Sequence, residues 1–186
     1  MKRTLLFGTL CLMALAMAFT SCEKGTNDGN GNSNGNGNGN AGQGGETLPG
    51  YVDLGLPSGT KWKSVNEEGY YTYDQALETF GDQLPTKEQC LELIHNYTKE
   101  NYSDTTKPKG ITIINGGDSV FLPADGATTC DDATPLGVGI NGSYWSSTPS
   151  ADDPDMAYGI GFGLSAHSYV NVKSRCKSCS VRLVQR

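Results

Sequence analysis

From Met156 to Gly163, bulky and minimal residues alternate without a break. Met156, Tyr158, Ile160 and Phe162 fall on one parity; Ala157, Gly159, Gly161 and Gly163 fall on the other. A period of two fits an extended strand, because successive side chains point to opposite faces. Such a strand has one large apolar face and one nearly bare face, so it must sit in a sheet with a core on the apolar side. The chain keeps this period afterwards: Val170 and Val172 alternate with Tyr169, Asn171 and Lys173, and Ser180-Val-Arg-Leu-Val184 reads as a closing strand. Shortly before Met156, Asn141-Gly-Ser-Tyr-Trp-Ser-Ser-Thr148 sets Tyr144 and Trp145 between turn-forming clusters. That stretch reads as a central strand with Trp145 as a buried anchor.

Upstream the pattern is helical. Thr72-Tyr-Asp-Gln75 and Thr86-Lys-Glu-Gln89 are both capping boxes, in which a Thr hydroxyl and a Gln side chain satisfy each other's backbone N–H groups. After the first, Tyr73, Ala76, Leu77 and Phe80 form one helical stripe that Gly81 ends. After the second, Cys90, Leu93, Ile94 and Tyr97 form another. Two hairpins flank this pair of helices. Tyr51–Leu56 and Thr60–Val65 turn at Pro57-Ser58-Gly59, and Ile111–Ile114 and Ser119–Leu122 turn at Asn115-Gly-Gly-Asp118. Residues 124–142 read as a long loop carrying Cys130, Asp131 and Asp132. A hairpin, two helices and a run of antiparallel strands make the expected class α+β, a pair of helices on a small twisted antiparallel sheet with long loops.

These elements occupy residues 47–186; what precedes them is of another kind. Met1-Lys2-Arg3 is a positive start, Thr4 to Phe19 is apolar and uncharged, and Thr20-Ser21 precede Cys22. The apolar run is shorter than the roughly 20 residues of a membrane-spanning helix, so residues 1–21 read as a secretory signal peptide. Ala18-Phe-Thr-Ser-Cys22 resembles a bacterial lipobox with Phe19 in place of the usual Leu, which implies that Cys22 is the lipidated first residue of the mature chain. Acyl chains would hold it to an outer membrane or cell surface, each buried CH₂ contributing about 0.8 kcal/mol. Glu23 resembles the export tags of Bacteroidetes surface lipoproteins. Residues 22–46 are then a Gly/Asn-rich tether with nothing apolar to bury, spanning about 25–30 Å as a flexible coil. The formal charge of −6 becomes −8 once Lys2 and Arg3 leave with residues 1–21. An acidic chain of this kind is not expected to bind nucleic acid.

Five ordered motifs carry a wider resemblance. Val52-Asp-Leu-Gly-Leu-Pro-Ser-Gly59 with Trp62, Leu84-Pro-Thr-Lys-Glu88, Phe121-Leu-Pro-Ala124, Gly142-Ser-Tyr-Trp-Ser-Ser147 and Ser180-Val-Arg-Leu-Val184 together resemble the Fibrobacter succinogenes major paralogous domain of Bacteroidetes surface proteins. The likeness covers nearly all of residues 50–186. It implies a divergent C-type lectin-like fold, and some members of the family are diversified targets of diversity-generating retroelements that present variable C-terminal residues to ligands. Three features depart from the family pattern. Cys90 stands where Trp is common, Gly159 and Gly161 replace larger outward residues, and Cys176-Lys-Ser-Cys179 precedes the last strand. The lectin calcium motif is absent too: Trp145-Ser-Ser147 carries no carboxylate.

The chemistry-bearing residues are few. Cys90, Cys130, Cys176 and Cys179 allow three pairings, and their spacing lacks the second ligand pair of a zinc site. A disulfide from Cys130 to Cys176 or Cys179 is the expectation, since a loop cysteine can reach a strand end. Gly117-Asp118-Ser119 is similar to an esterase nucleophile motif but precedes a strand, so it reads as a turn. His95 and His167 show no sign of a catalytic triad. Asp152, Asp153 and Asp155 lack a calcium loop's distal Glu. No metal and no cofactor are therefore expected. After Asp155 the chain contains no acid but has Lys173, Arg175, Lys177, Arg182 and Arg186. These charges read as guards of a strand edge on the solvent side, or as a basic face for an anionic partner. The ligand-binding candidates are His167, Tyr169, Asn171, Lys173 and Arg175, with Asp152 and Asp153 from the acidic loop; an aromatic anchor among adaptable polar groups resembles a paratope. The expected function is non-enzymatic: a surface lipoprotein displaying a module for an extracellular glycan or protein ligand, touching the membrane through its lipid alone. The alternatives are a structural or accessory part of a surface assembly, and a hydrolase built on Ser119 and Asp153.

Overall fold

The computed structural model describes residues 47–95, 98–100, 108–163 and 168–186. The signal, Cys22 and tether expectations, together with Tyr97 and His167, lie outside these residues. Among the described residues no helix is long and apolar enough to cross a membrane. The elements run β1 (Tyr51–Asp53), β2 (Lys61–Lys63), α1 (Tyr73–Phe80), a 3-10 turn (Gly81–Gln83), α2 (Lys87–His95), β3 (Thr98–Glu100), β4 (Gly110–Asn115), β5 (Asp118–Pro123), β6 (Asn141–Pro149), β7 (Met156–Gly163), β8 (Ser168–Ser174) and β9 (Val184–Gln185). The architecture is α+β, with three antiparallel three-stranded sheets ordered β1-β2-β9, β3-β4-β5 and β6-β7-β8.

The local signals act where the sequence puts them. Gly59 closes the first turn by donating to Leu56 O at 2.8 Å. In the second hairpin Asn115 pairs with Asp118 across Gly116 and Gly117, both at positive φ (60° and 107°), which a two-residue turn requires and glycine permits. Both capping boxes form. Thr72 N donates to Gln75 Oε1 at 3.0 Å, and Thr86 N donates to Gln89 Oε1 at 2.8 Å, each with the reciprocal bond from the Gln backbone to the Thr hydroxyl. The stripe on α1 is narrower than its spacing suggests. Tyr73 and Ala76 are buried, but Leu77 is 40% exposed, because this two-turn helix rests on the sheet along one line only.

The sheet β6-β7-β8 divides the core. One cluster gathers Tyr144, Ile160 and Phe162 with Cys90, Leu93 and Ile94 of α2 and with residues of the other two sheets, including Trp62, Ile111 and Leu122. The other gathers Trp145 and Ala157 with Tyr73 and Ala76 of α1 and with Cys179, Val181 and Leu183. Adjacent residues of β6 thus anchor opposite cores, as a period of two demands. Trp145 is fully buried, meets Tyr73 edge-on with ring centroids 5.5 Å apart, and donates its indole N–H to Tyr71 O at 2.8 Å.

The closing segment differs from the expected strand over Ser180–Val184. Only Val184 and Gln185 pair regularly, with β2. Ser180 bridges Tyr144 in parallel, while Val181 O accepts from Glu67 N and Leu183 O from Lys63 N. The segment crosses from one sheet to another and is covered on both sides. This overturns the solvent-side placement of Arg182, which is only 2% exposed. It donates from Nε to Asn66 Oδ1 (2.8 Å), from Nη1 to Lys63 O and from Nη2 to Phe121 O (both 2.7 Å). Arg182 is a cross-link between elements, not a guard of an edge.

Candidate functional site

The bare parity of β7 and the polar parity of β8 come together. Gly161 pairs with Tyr169, Gly159 with Asn171 and Ala157 with Lys173, so all six side-chain positions share one face of the sheet. The glycines are not simply open. A Cβ on Gly161 would come within 2.4 Å of the Tyr169 ring, and one on Gly159 within 2.2 Å of Tyr144 O and 3.3 Å of Lys173 Nζ. Tyr169 and the Lys173 ammonium therefore lie down over backbone where larger residues would have stood, which corrects the expectation that this parity faces outward. Tyr169 keeps 48% of its surface exposed.

Around this floor lies a groove of about 460 Å³, lined by Tyr169, Asn171 and Lys173 of β8, by Asn141 and Ser143 of β6, and by Lys177 and Leu136 from the loops, among others. Among the described residues none that lines it is an acid. Lys173 Nζ donates to Ile160 O at 2.9 Å and to Asn171 Oδ1 at 3.3 Å. Burial, helped by the Lys177 charge and opposed by the thiols of Cys179 and Cys90, pushes its pKa from 10.5 down to about 8. This ammonium is half-buried and does not stand in solvent as strand alternation suggests. Its long stem folds back over Gly159.

The remaining candidates separate from this groove. Arg175 forms an ion pair with Asp74, donates from Nη1 to Pro154 O at 2.8 Å and lies 4.9 Å from the Tyr73 ring centre. The hydrogen bond to Asp74 raises its pKa further. It lines a neighbouring groove of about 690 Å³ with Thr72, Asp74, Pro154, Asp155, Ser174 and Cys176. Asp152 and Asp153 are exposed and line neither groove; Asp153 Oδ1 is engaged by the backbone N–H of Asp155 at 2.9 Å. Ser119 is exposed in the β4–β5 hairpin opposite Ile114. Among the described residues no three His, Cys, Asp or Glu side chains converge as a metal site would need.

Of the two disulfide partners considered for Cys130, the structure uses Cys176, with Cα atoms 5.0 Å apart. Cys179 is instead a buried free thiol 3.3 Å from Ser143 Oγ, and burial raises its pKa. The reason is its parity: Cys179 enters the core with Val181 and Leu183, whereas Cys176 stays at the surface near the long loop. Lys177 and Leu136 were not singled out as ligand-binding residues, because only the path of the loops brings them to the rim. Lys177 had a visible sign in the acid-free basic run, and Leu136 had none. The chain was compared with protein-family models, with curated proteins and with solved structures, and it matches none of them.

Proposed function

We propose that the chain is a lipid-anchored surface protein whose globular part, a divergent C-type lectin-like domain, binds an external glycan or protein in the groove over β7. The observation that carries this reading is the juxtaposition of an exposed aromatic ring, amide and hydroxyl groups and two ammonium groups over a floor of glycines. Grooves of a few hundred Å³ with a few convergent polar groups are the usual form of a ligand site. Tyr169 and Asn171 supply contact area and hydrogen bonding, and Lys173 supplies charge. Arg175 acts on this site as a support, tying the end of β8 to α1 through Asp74.

The test is a glycan and protein array probed with the full chain, repeated with Tyr169→Ala and Asn171→Ala. At least one ligand is expected whose signal falls with both substitutions while the melting temperature is retained. An array without any such ligand refutes the reading.

A second reading, an accessory component of a surface assembly, draws on Leu136, Val138 and Ile140. They are 56%, 60% and 49% exposed within one loop, and neighbouring exposed apolar residues are a common mark of protein contact. It predicts co-purification with envelope proteins that Val138→Ser abolishes.

A further inference from the structure

We propose that the groove is specific for an acidic saccharide, the carboxylate of a uronic acid unit being held by Lys173 and Lys177 while its ring lies on Tyr169. This rests on the groove being the ligand site and adds the chemical class of what fills it.

Charge comes first. Among the described residues, Lys173 and Lys177 border one groove with no carboxylate in its lining, and neither makes an ion pair. The two cations repel, since the charge of Lys177 is one of the influences that disfavour the protonated form of Lys173. Two like charges held together on a chain of net charge −6 do not follow from overall basicity. An anion placed there relieves the repulsion and restores solvation that burial has taken from Lys173. An ammonium has three donors. Two from Lys173 go to Ile160 O and Asn171 Oδ1, and the third remains for a ligand.

Shape selects a ring over a peptide. Tyr169 is seated on Gly161, keeps 48% of its surface exposed and lines the groove. A flat, half-open aromatic surface offers a sugar ring apolar contact on its C–H side. Asn141 and Asn171 present amides suited to sugar hydroxyls, which both donate and accept. The glycine floor leaves depth for a ring but offers no series of side-chain pockets for a peptide strand.

The experiment is isothermal titration of the full chain with oligogalacturonate, with its fully methyl-esterified form, and with polyglutamate of similar length. The ester keeps the rings and removes the charge, and polyglutamate keeps the charge and removes the rings. The free acid is expected to bind at least about tenfold more tightly than either, the scale of one charge-assisted hydrogen bond. Lys173→Met and Lys177→Ala should each weaken the acid by about tenfold and flatten its salt dependence, and Lys177→Ala should weaken the ester several-fold less than the acid. Lys177 is exposed, so its variant tests the idea even if Lys173→Met disturbs the fold. Equal binding of acid and ester, polyglutamate binding as tightly as the uronide, unchanged affinity in Lys177→Ala, or no binding of the uronide would each overturn the proposal. In those cases a neutral glycan or a protein found on the array and weakened by Tyr169→Ala would leave the broader binding function standing.

Discussion

Arg182→Met should cost about 2–5 kcal/mol of folding stability, a large effect for a basic residue in a sequence position that suggests a surface strand. The magnitude follows from its three bonds. Each joins a charged donor to a neutral acceptor, a class of hydrogen bond that contributes about 1.5–3 kcal/mol net. Removing the side chain also leaves Lys63 O, Phe121 O and Asn66 Oδ1 without that donor in a partly buried site. Against this, the variant no longer buries a cation, and that relief returns several kcal/mol. The relief is limited because Tyr144, Asp125 and Glu67 already offset part of the burial cost, so that the pKa of Arg182 falls only to about 10 and the parent keeps its charge.

Urea denaturation followed by tryptophan fluorescence measures the loss, since Trp62 and Trp145 are both fully buried. A drop of about 10 °C in melting temperature should accompany it. Two companions sharpen the test. Arg182→Lys keeps the charge but cannot reach three acceptors that a planar fork serves together, so it should lose nearly as much. Arg186→Met removes a surface arginine with one bond to Leu84 O at 3.0 Å and should stay within about 0.5 kcal/mol of the parent. If Arg182→Met unfolds at the parental urea concentration, or Arg182→Lys is indistinguishable from the parent, the cross-link account is wrong.

Three further outcomes are expected. Trp145→Ala should cost about 3–5 kcal/mol in the same urea experiment, because the ring is wholly buried among α1, the closing segment and Ala157 of β7. Cys130→Ala should cost about 2–4 kcal/mol by removing a bond that closes a loop of 46 residues, and reductant should destabilise the parent but not the variant. The pH dependence of Lys173 has a definite sign. Its folded pKa of about 8 lies below the ordinary 10.5, so the cost of the buried charge is fully present below pH 8 and is relieved as pH rises from 8 towards 10.5. The facing thiols Cys90 and Cys179 act oppositely: their pKa values are raised, so they favour the unfolded state as pH climbs past the usual 9.0. Subtracting the stability profile of Lys173→Met from the parent's should therefore isolate a component that rises across the Lys173 window, and a flat difference would contradict the burial of this ammonium.

The parts of the fold readable in the sequence are those encoded by neighbours in the chain. Both capping boxes, the two hairpin turns and the alternation of β7 and β8 depend on residues within a few positions of one another, and each stands where its pattern put it except at Val172, which is 37% exposed towards the end of β8. Alternation also placed Tyr169, Asn171 and Lys173 on one face without further information. What it could not supply was whether a face is covered. Arg182 has the parity of a surface residue in a simple edge strand and is buried because the closing segment runs between sheets. Lys173 has the same parity and folds down because Gly159 leaves room. Arg175 and the acidic-loop residues were grouped with Tyr169 by sequence proximity and residue type. Tertiary placement instead sends Arg175 to Asp74 of α1 and leaves Asp152 and Asp153 outside the groove.

The glycines of β7 connect these observations. Glycine in a strand interior sacrifices about 0.5–1 kcal/mol relative to alanine and buries no side chain of its own. Three at alternate positions are therefore a poor choice for stability alone, and two of them have a specific occupant above them, Tyr169 over Gly161 and the Lys173 ammonium over Gly159. A larger residue at Gly161 would lift the Tyr169 ring away from the sheet and into the groove, and one at Gly159 would meet Tyr144 O of β6 before it met the ammonium. The elements around it are held firmly: the Cys130–Cys176 bond ties the long loop to the segment after β8, the Arg175–Asp74 pair ties that segment to α1, and Trp145 fixes β6 beside β7. A weak, bare floor inside a cross-linked frame loses little order on receiving a ligand, because the surrounding side chains are already in place. On this argument the glycines concern depth and the cross-links concern rigidity. A substitution at Gly161, which meets only the Tyr169 side chain, should then disturb binding at least as much as folding, whereas one at Gly159, which meets Tyr144 O of β6, and loss of the disulfide should each act first on folding.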